Sequence, residues 1–242
     1  MSLLILVKQA ILKPSKVYGY VCLKHLESTE GQAIRERIES CGDIVRNQDE
    51  KGVDLYDGLD PMQTKLLVSV KYDFVKYLVR RSHYKGYKKI QADYRIKQDS
   101  YLQRLSVDKR EFFDKRVADV GSGHSAALFC CGAKEVWNFD PLMDIYQQYV
   151  KGFPGKISSI SFRKGSAESL PVKDETFDLF VCVNALDHVN NVYQAVAEMW
   201  RVLVYGGKVL LNVDCKDRTG VRLEKRIGHP YSFTPEKLQK IF

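Results

Sequence analysis

The sequence predicts an α/β chain: a doubly wound, mostly parallel sheet behind a mainly helical N-terminal extension. Three observations carry this. From Lys115 onward, apolar runs alternate with helical patterns, as parallel sheets require. Two of the runs, Phe177 to Val183 and Val209 to Val213, are almost continuously apolar, which suits strands covered on both faces. Before Lys115 the dominant signal is helical, with Met62, Leu66, Leu67, Val70, Phe74, Tyr77 and Leu78 forming one stripe.

Taken in order, the alternating run Val17 to Leu23 reads as a strand. Ser28 or Thr29 starts a helix to about Ser40, with Ala33, Ile34 and Ile38 on one face. Gly42 is expected to end it, and Arg46 to Asp60 to be turn-rich. A helix follows over 61–82, a break at His83 to Lys89, and a second helix from about Gln91 to Leu105. Strands are expected at 117–120, 135–139, 158–163, 177–183 and 207–213. The helices between them fall at about 125–131, 142–150 and 191–203. A last helix from 235 has Thr234 as N-cap and Pro235 in its first turn. The chain thus divides into a strand-helix segment (1–60), a helical segment (61–112) and an α/β domain (113–242).

Composition excludes several classes. The apolar run Leu3 to Val7 is far shorter than the roughly 20 residues that span a bilayer. Neither a signal peptide nor a membrane anchor is expected. Six cysteines occur with no CxxC pair and no His/Cys cluster, so no metal site is predicted and a reducing, cytoplasmic location is expected. The net charge of +8 is carried entirely by residues 71–116, with 14 Lys/Arg against 6 Asp/Glu. Tyr72, Tyr77, Tyr84, Tyr87, Tyr94 and Tyr101 are interleaved there. Such a segment is either a solvated helical face or a surface for RNA.

The richest stretch for chemistry is Arg116 to Ser125. An apolar strand breaks into Gly121-Ser122-Gly123, and a helix start is expected at Ser125. Glycines let backbone approach a ligand, and ligands of open α/β sheets bind beyond the strands' carboxyl ends. Asp140 ends the next strand, 17 positions after Gly123, where a carboxylate accepts from ribose hydroxyls. Gly121-x-Gly123-x-x-Ala126 also satisfies the loose dinucleotide pattern, so this pair of features alone leaves the cofactor open.

The longer series is more specific. It runs Val117-Ala118-Asp119-Val120-Gly121-Ser122-Gly123, Asn138-Phe139-Asp140-Pro141, Gly165-Ser166-Ala167-Glu168-Ser169-Leu170-Pro171 and Phe177-Asp178-Leu179. It continues through Asn184-Ala185-Leu186-Asp187-His188-Val189 and Glu198 to Lys208. Over about 100 residues, this series resembles a class I S-adenosylmethionine-dependent methyltransferase with a Rossmann-like sheet. The resemblance implies S-adenosylmethionine as cofactor. Asp119, Gly121, Ser122 and Gly123 would hold its methionine end, and Asp140 its ribose diol. Pro141 and Leu142 or Met143 would lie at the adenine face. Ser166, Ala167 and Glu168 would read the adenine edge, and Asn184 would close the methionine side. Ser125 stands where the family usually has a third glycine.

A hydroxyl acceptor needs a base. His188, with Asp187, is the candidate; His124 is expected beside the cofactor, His229 in a surface turn, and Asp178 in a structural role. After Val213 the family usually adds a helix and an antiparallel strand pair, but only 29 residues remain here, so a five-strand parallel core is expected, with the strand near residue 20 as an optional extension. The acceptor is a small metabolite, a glycan or RNA, and a homodimer is allowed. Two alternatives remain: a nicotinamide-dependent oxidoreductase, for which no Tyr-x-x-x-Lys pair is found, and a non-catalytic binding or scaffold protein.

Overall fold

The computed structural model describes residues 28–82, 94–124, 127–128, 131–149, 153, 158–215 and 223–242. The expected strand at Val17 to Leu23 and the break at His83 to Lys89 lie outside these residues.

Five parallel strands form the sheet: β1 Arg116–Val120, β2 Glu135–Asp140, β3 Ile160–Lys164, β4 Phe177–Val183 and β5 Leu203–Asn212. Their spatial order is β3-β2-β1-β4-β5, so the order reverses beside β1. That reversal opens a crevice at the carboxyl ends of β1 and β4, where a ligand fits. The sheet is the expected five-strand core, with β5 entered earlier than expected. Its start is irregular: Phe177 pairs with Leu203, but Leu179 pairs with Lys208. Gly206, at φ 78°, absorbs the extra residues.

Side chains alternate cleanly across the sheet. Val117, Val136, Leu179, Val181 and Leu210 share one buried cluster with Leu105, Phe112 and Leu128. Ala118, Val120, Phe180, Cys182 and Leu211 share the other. This second cluster also holds Ile34, Ile38, Val45, Leu67, Val70 and Phe74, so the N-terminal helices and the sheet bury one continuous apolar core.

Those helices are α1 Thr29–Ser40, α2 Gly42–Lys51, α3 Pro61–Ser82 and α4 Tyr94–Leu105. Ser28 caps α1 as expected, its hydroxyl accepting from the Gly31 N–H. Gly42 does not stop the chain. Cys41 is fully buried in right-handed helical conformation and joins α1 to α2. The left-handed glycine that ends the run is Gly52, at φ 65°. Within α3, Leu67, Val70, Phe74 and Tyr77 are buried as the stripe predicts, but Met62 is 81% exposed because the first turn overhangs the core.

The remaining helices are α5 Met143–Tyr149, α6 Val192–Val202, α7 Leu223–Gly228 and α8 Pro235–Ile241. Asn191 and Thr234 cap α6 and α8. The helix expected over 125–131 is not found: Ala127 and Leu128 lie in a turn, and Ser125, Ala126, Phe129 and Cys130 are outside the described residues. Helix α7 carries no clear sequence signal, since six residues give under two turns of periodicity.

Interactions far apart in sequence fix the C-terminal segment. Arg226, 4% exposed, donates to Asp49 Oδ1 at 2.9 Å and to the Val53 carbonyl. Leu55 N–H donates to the Pro230 carbonyl, and Ser232 N–H to Asp54 Oδ1. Residues 49–57 therefore set where His229 sits.

Candidate functional site

The crevice begins where β1 ends. Gly121 (φ 71°) and Gly123 (φ 63°) both adopt left-handed conformations. They serve different needs. A Cβ on Gly121 would lie 2.2 Å from the Ala185 Cβ, so the glycine lets the β1 turn pass against the β4 turn. A Cβ on Gly123 would meet nothing within 4 Å, so its backbone borders open space.

Two carboxylates face this turn. Asp140 accepts from the Gly123 N–H at 3.1 Å and the Leu142 N–H at 2.8 Å. The strand tip is thereby clamped to the glycine turn. Burial raises its pKa to about 6, partly offset by these two donors. Asp119 is fully buried, and neither carboxylate oxygen has a hydrogen-bond partner among the described residues. Burial, and then the charge of Asp140, raise its pKa to about 8. A buried carboxylate in this condition is costly for the fold and fits a site built for a cation.

Asn184 completes the rim. It is a non-glycine residue at φ 53°, held by donation from its N–H to the Asn212 carbonyl at 2.7 Å. Its Oδ1 is buried without a partner among the described residues. Left-handed backbone costs little for Asn, and strain of this kind collects at functional turns. Leu142 and Met143 are buried beside Asp140. Ser122 is buried at the turn, and Pro141 is half-buried after the β2 tip.

The segment from Ser166 to Glu168 divides. Ala167 is buried in the core, and Ser166 bridges Ser169. The Glu168 carboxylate accepts from the Asn190 N–H at 2.5 Å and the Asn191 N–H at 3.3 Å. Glu168 thus anchors the loop between β4 and α6.

That loop holds Asp187 and His188. Asp187 is 4% exposed, and its Oδ2 lies 2.7 Å from His229 Nδ1. His188 Nδ1 lies 2.7 Å from the Gly228 carbonyl, and its Nε2 is 3.9 Å from Asp187 Oδ1. The two imidazoles sit 3.9 Å apart between centroids. His229 is therefore not in a surface turn apart from the site, because the α7 connection carries it onto Asp187. Burial holds His188 below its ordinary pKa, and the neighbouring His229 and Lys71 push the same way. His124 instead packs edge-on against Tyr146. Asp178 accepts from the Arg116 N–H at the start of β1, a structural role as expected.

Sequence reading missed Lys71. This residue of α3 is 3% exposed and donates to the His188 carbonyl at 2.6 Å and to Asn190 Oδ1 at 2.8 Å. Burial lowers its pKa to about 8. Its position on the apolar stripe, three residues before Phe74, was the only available signal. Three tyrosines of the basic segment make contacts within the protein. Tyr77 is buried and bonded to Ser28, Tyr72 bonds Asn190, and Tyr101 lies beside Asp119.

The sequence pattern of a family described as "Methyltransferase domain" matches residues 118–211, which contain the glycine turn, both carboxylates and the Asp187-His188 loop. Residues 118–211 are a methyltransferase domain. An uncharacterised methyltransferase of Bacillus subtilis is 34% identical over 101 residues, 40% of each chain. An uncharacterised protein of Methanocaldococcus jannaschii is 48% identical over 119 residues, 49% of this chain and 48% of its own. The chain thus spans less than half the length of either relative. Among solved structures, a complex between the Haloferax volcanii Trm112 methyltransferase activator and a methyltransferase matches with a TM-score of 0.51. At 16% identity over 69% of this chain and 73% of that one, this likeness shows the fold alone. Among the described residues, no helix of the methyltransferase domain or its extension is long and apolar enough to cross a membrane.

Proposed function

We propose that this chain transfers a methyl group from S-adenosylmethionine to an oxygen or nitrogen nucleophile of an acceptor. One observation carries the reading: the buried, unpartnered Asp119 carboxylate beneath a glycine turn whose second glycine borders open space. In this reading the carboxylate receives the cofactor's methionine ammonium, with Asn184 Oδ1 as a second acceptor. Gly121, Ser122 and Gly123 give backbone to the same end. Asp140 takes the ribose hydroxyls with its remaining lone pairs, and Pro141 and Leu142 lie toward the base. Ser166, Ala167 and Glu168 shape the far wall.

The cofactor supplies a methyl on a cationic sulfur, a leaving group that needs no protonation. The residues of this chain orient it, exclude water and prepare the acceptor. Asp187 and His188, joined by His229, are proposed to activate the acceptor, and helices from 61–112 to select it. A small metabolite, a glycan or RNA suits such a site. A cytoplasmic, metabolite-facing enzyme fits the buried free thiols of Cys41, Cys131 and Cys182.

Asp140→Ala tests the cofactor reading. Calorimetric titration should show S-adenosylhomocysteine binding weakened about tenfold or more, since hydrogen bonds to a charged group are worth about 1.5–3 kcal/mol each. Unchanged affinity, or tighter binding of NAD by the native chain, would overturn it. A labelled-methyl screen over tRNA, glycans and small metabolites then identifies the acceptor; transfer to none of them would favour a binding or scaffold role.

A further inference from the structure

We propose that Asp187, His188 and His229 form a binding site for a divalent transition-metal ion of the zinc or cobalt class, on the acceptor side of the crevice. Three observations converge. Each residue offers a ligand atom, and the three atoms lie within 4.8 Å of one another. His188 Nδ1 lies 2.7 Å from the Gly228 carbonyl, while His229 Nδ1 and an Asp187 carboxylate oxygen stand 2.7 Å apart, a spacing that suits two ligands on one ion. The Gly228 carbonyl takes the His188 Nδ1 proton, which leaves Nε2 of that ring, 3.9 Å from Asp187 Oδ1, as its lone-pair nitrogen. Metal-binding histidines are oriented in this way, with the second ring nitrogen donating to a carbonyl or carboxylate. Finally, the two rings lie 3.9 Å apart between centroids, tilted by 44°, with side chains 42% and 40% exposed, whereas the Asp187 side chain is 6% exposed. The imidazoles thus reach solvent beside a buried carboxylate.

Two imidazoles and one carboxylate suit Zn²⁺, Co²⁺ or Ni²⁺ better than the hard cations, which prefer all-oxygen shells. Three protein ligands leave a coordination position for a further oxygen or nitrogen. The site also explains why the molecule brings these residues together from distant segments: α7 delivers Gly228 and His229, while Glu168 and Lys71 fix the loop holding Asp187 and His188. Resting on the methyl-transfer reading, the open position would take the acceptor. A hydroxyl there loses its proton to solvent more readily, and its oxygen then attacks the methyl carbon as the carbon–sulfur bond breaks toward sulfur.

Cobalt(II) chloride titrated into the whole chain, followed by visible absorption and equilibrium dialysis, tests the site. One equivalent should bind, with affinity lowered about tenfold or more in His188→Ala and His229→Ala. S-adenosylhomocysteine affinity, measured in parallel, should stay within about twofold, showing that the variants are folded and the cofactor site is separate. Proton NMR of the cobalt-loaded native chain gives a second readout that needs no variant. Two strongly shifted, solvent-exchangeable imidazole N–H signals are expected, from His188 Nδ1 and His229 Nε2. Binding that is weak and unchanged in both variants, or a spectrum without those signals, would overturn the site. Cobalt binding without S-adenosylhomocysteine binding would instead overturn the cofactor reading and leave the metal site standing.

Discussion

Asp119→Asn should weaken S-adenosylhomocysteine binding by about 10- to 100-fold while raising the melting temperature of the ligand-free chain. The two effects have one origin. The native carboxylate is fully buried and unpartnered among the described residues, so its ionisation costs the fold. The same charge is what a methionine ammonium would meet, at about 1.5–3 kcal/mol for a charge-assisted hydrogen bond. The pH dependence follows by linkage. With its pKa raised to about 8 from 3.8, Asp119 holds a proton in the folded state that the unfolded chain releases. Its contribution to stability is complete below about pH 4 and is lost as pH rises toward 8. The stability gap between Asp119→Asn and the native chain should therefore widen from pH 6 to pH 8. Ligand affinity should move the opposite way, rising over the same interval in the native chain, because binding a cation favours the ionised carboxylate. Calorimetry in buffers of different ionisation enthalpy should report proton release on binding. A variant that binds like the native chain at every pH would remove Asp119 from the site.

The second large effect is expected at Gly121, in contrast with its neighbour. Gly121→Val should cost about 2–5 kcal/mol of stability. The left-handed conformation contributes roughly 1–2 kcal/mol, and overpacking against Ala185 roughly 1–3 kcal/mol. The 2.2 Å approach makes the second part unavoidable unless β1 and β4 separate. Gly123→Ala meets no neighbour, so only the conformational penalty remains, about 1–2 kcal/mol. Its loss should appear instead in ligand affinity, since the added methyl stands where backbone borders the open crevice. Urea denaturation and ligand titration of the two variants separate the roles. Equal destabilisation by both would contradict the division between a packing glycine and a cradle glycine.

These contrasts also mark how far the sequence reads. Periodicity places every strand of the sheet to within a few residues, because a strand covered on both faces leaves a long apolar run. It fails at Gly42, where a glycine suggests a helix end. The deciding property is the backbone angle: Gly52 is left-handed and stops the chain, whereas Cys41 stays right-handed because burying it holds α1 against α2. Likewise Lys71 looks like one more charge on a basic helix. Only the fold shows it buried and donating to the loop of Asp187 and His188.

The glycine turn, the Asp119 and Asp140 carboxylates and the Asn184 to His188 loop were all legible before any coordinates, because each is bound to a strand end by local sequence. The sequence by itself therefore determines the sheet, the cofactor crevice and the class of domain. The meeting of His229 with Asp187 and His188 is decided only by the tertiary structure. His229 lies some 40 residues away along the chain. It is delivered by Arg226 bonding Asp49, and by Leu55 holding Pro230, contacts between segments more than 170 residues apart. No local pattern encodes a contact whose two sides are chosen by packing of a shared core.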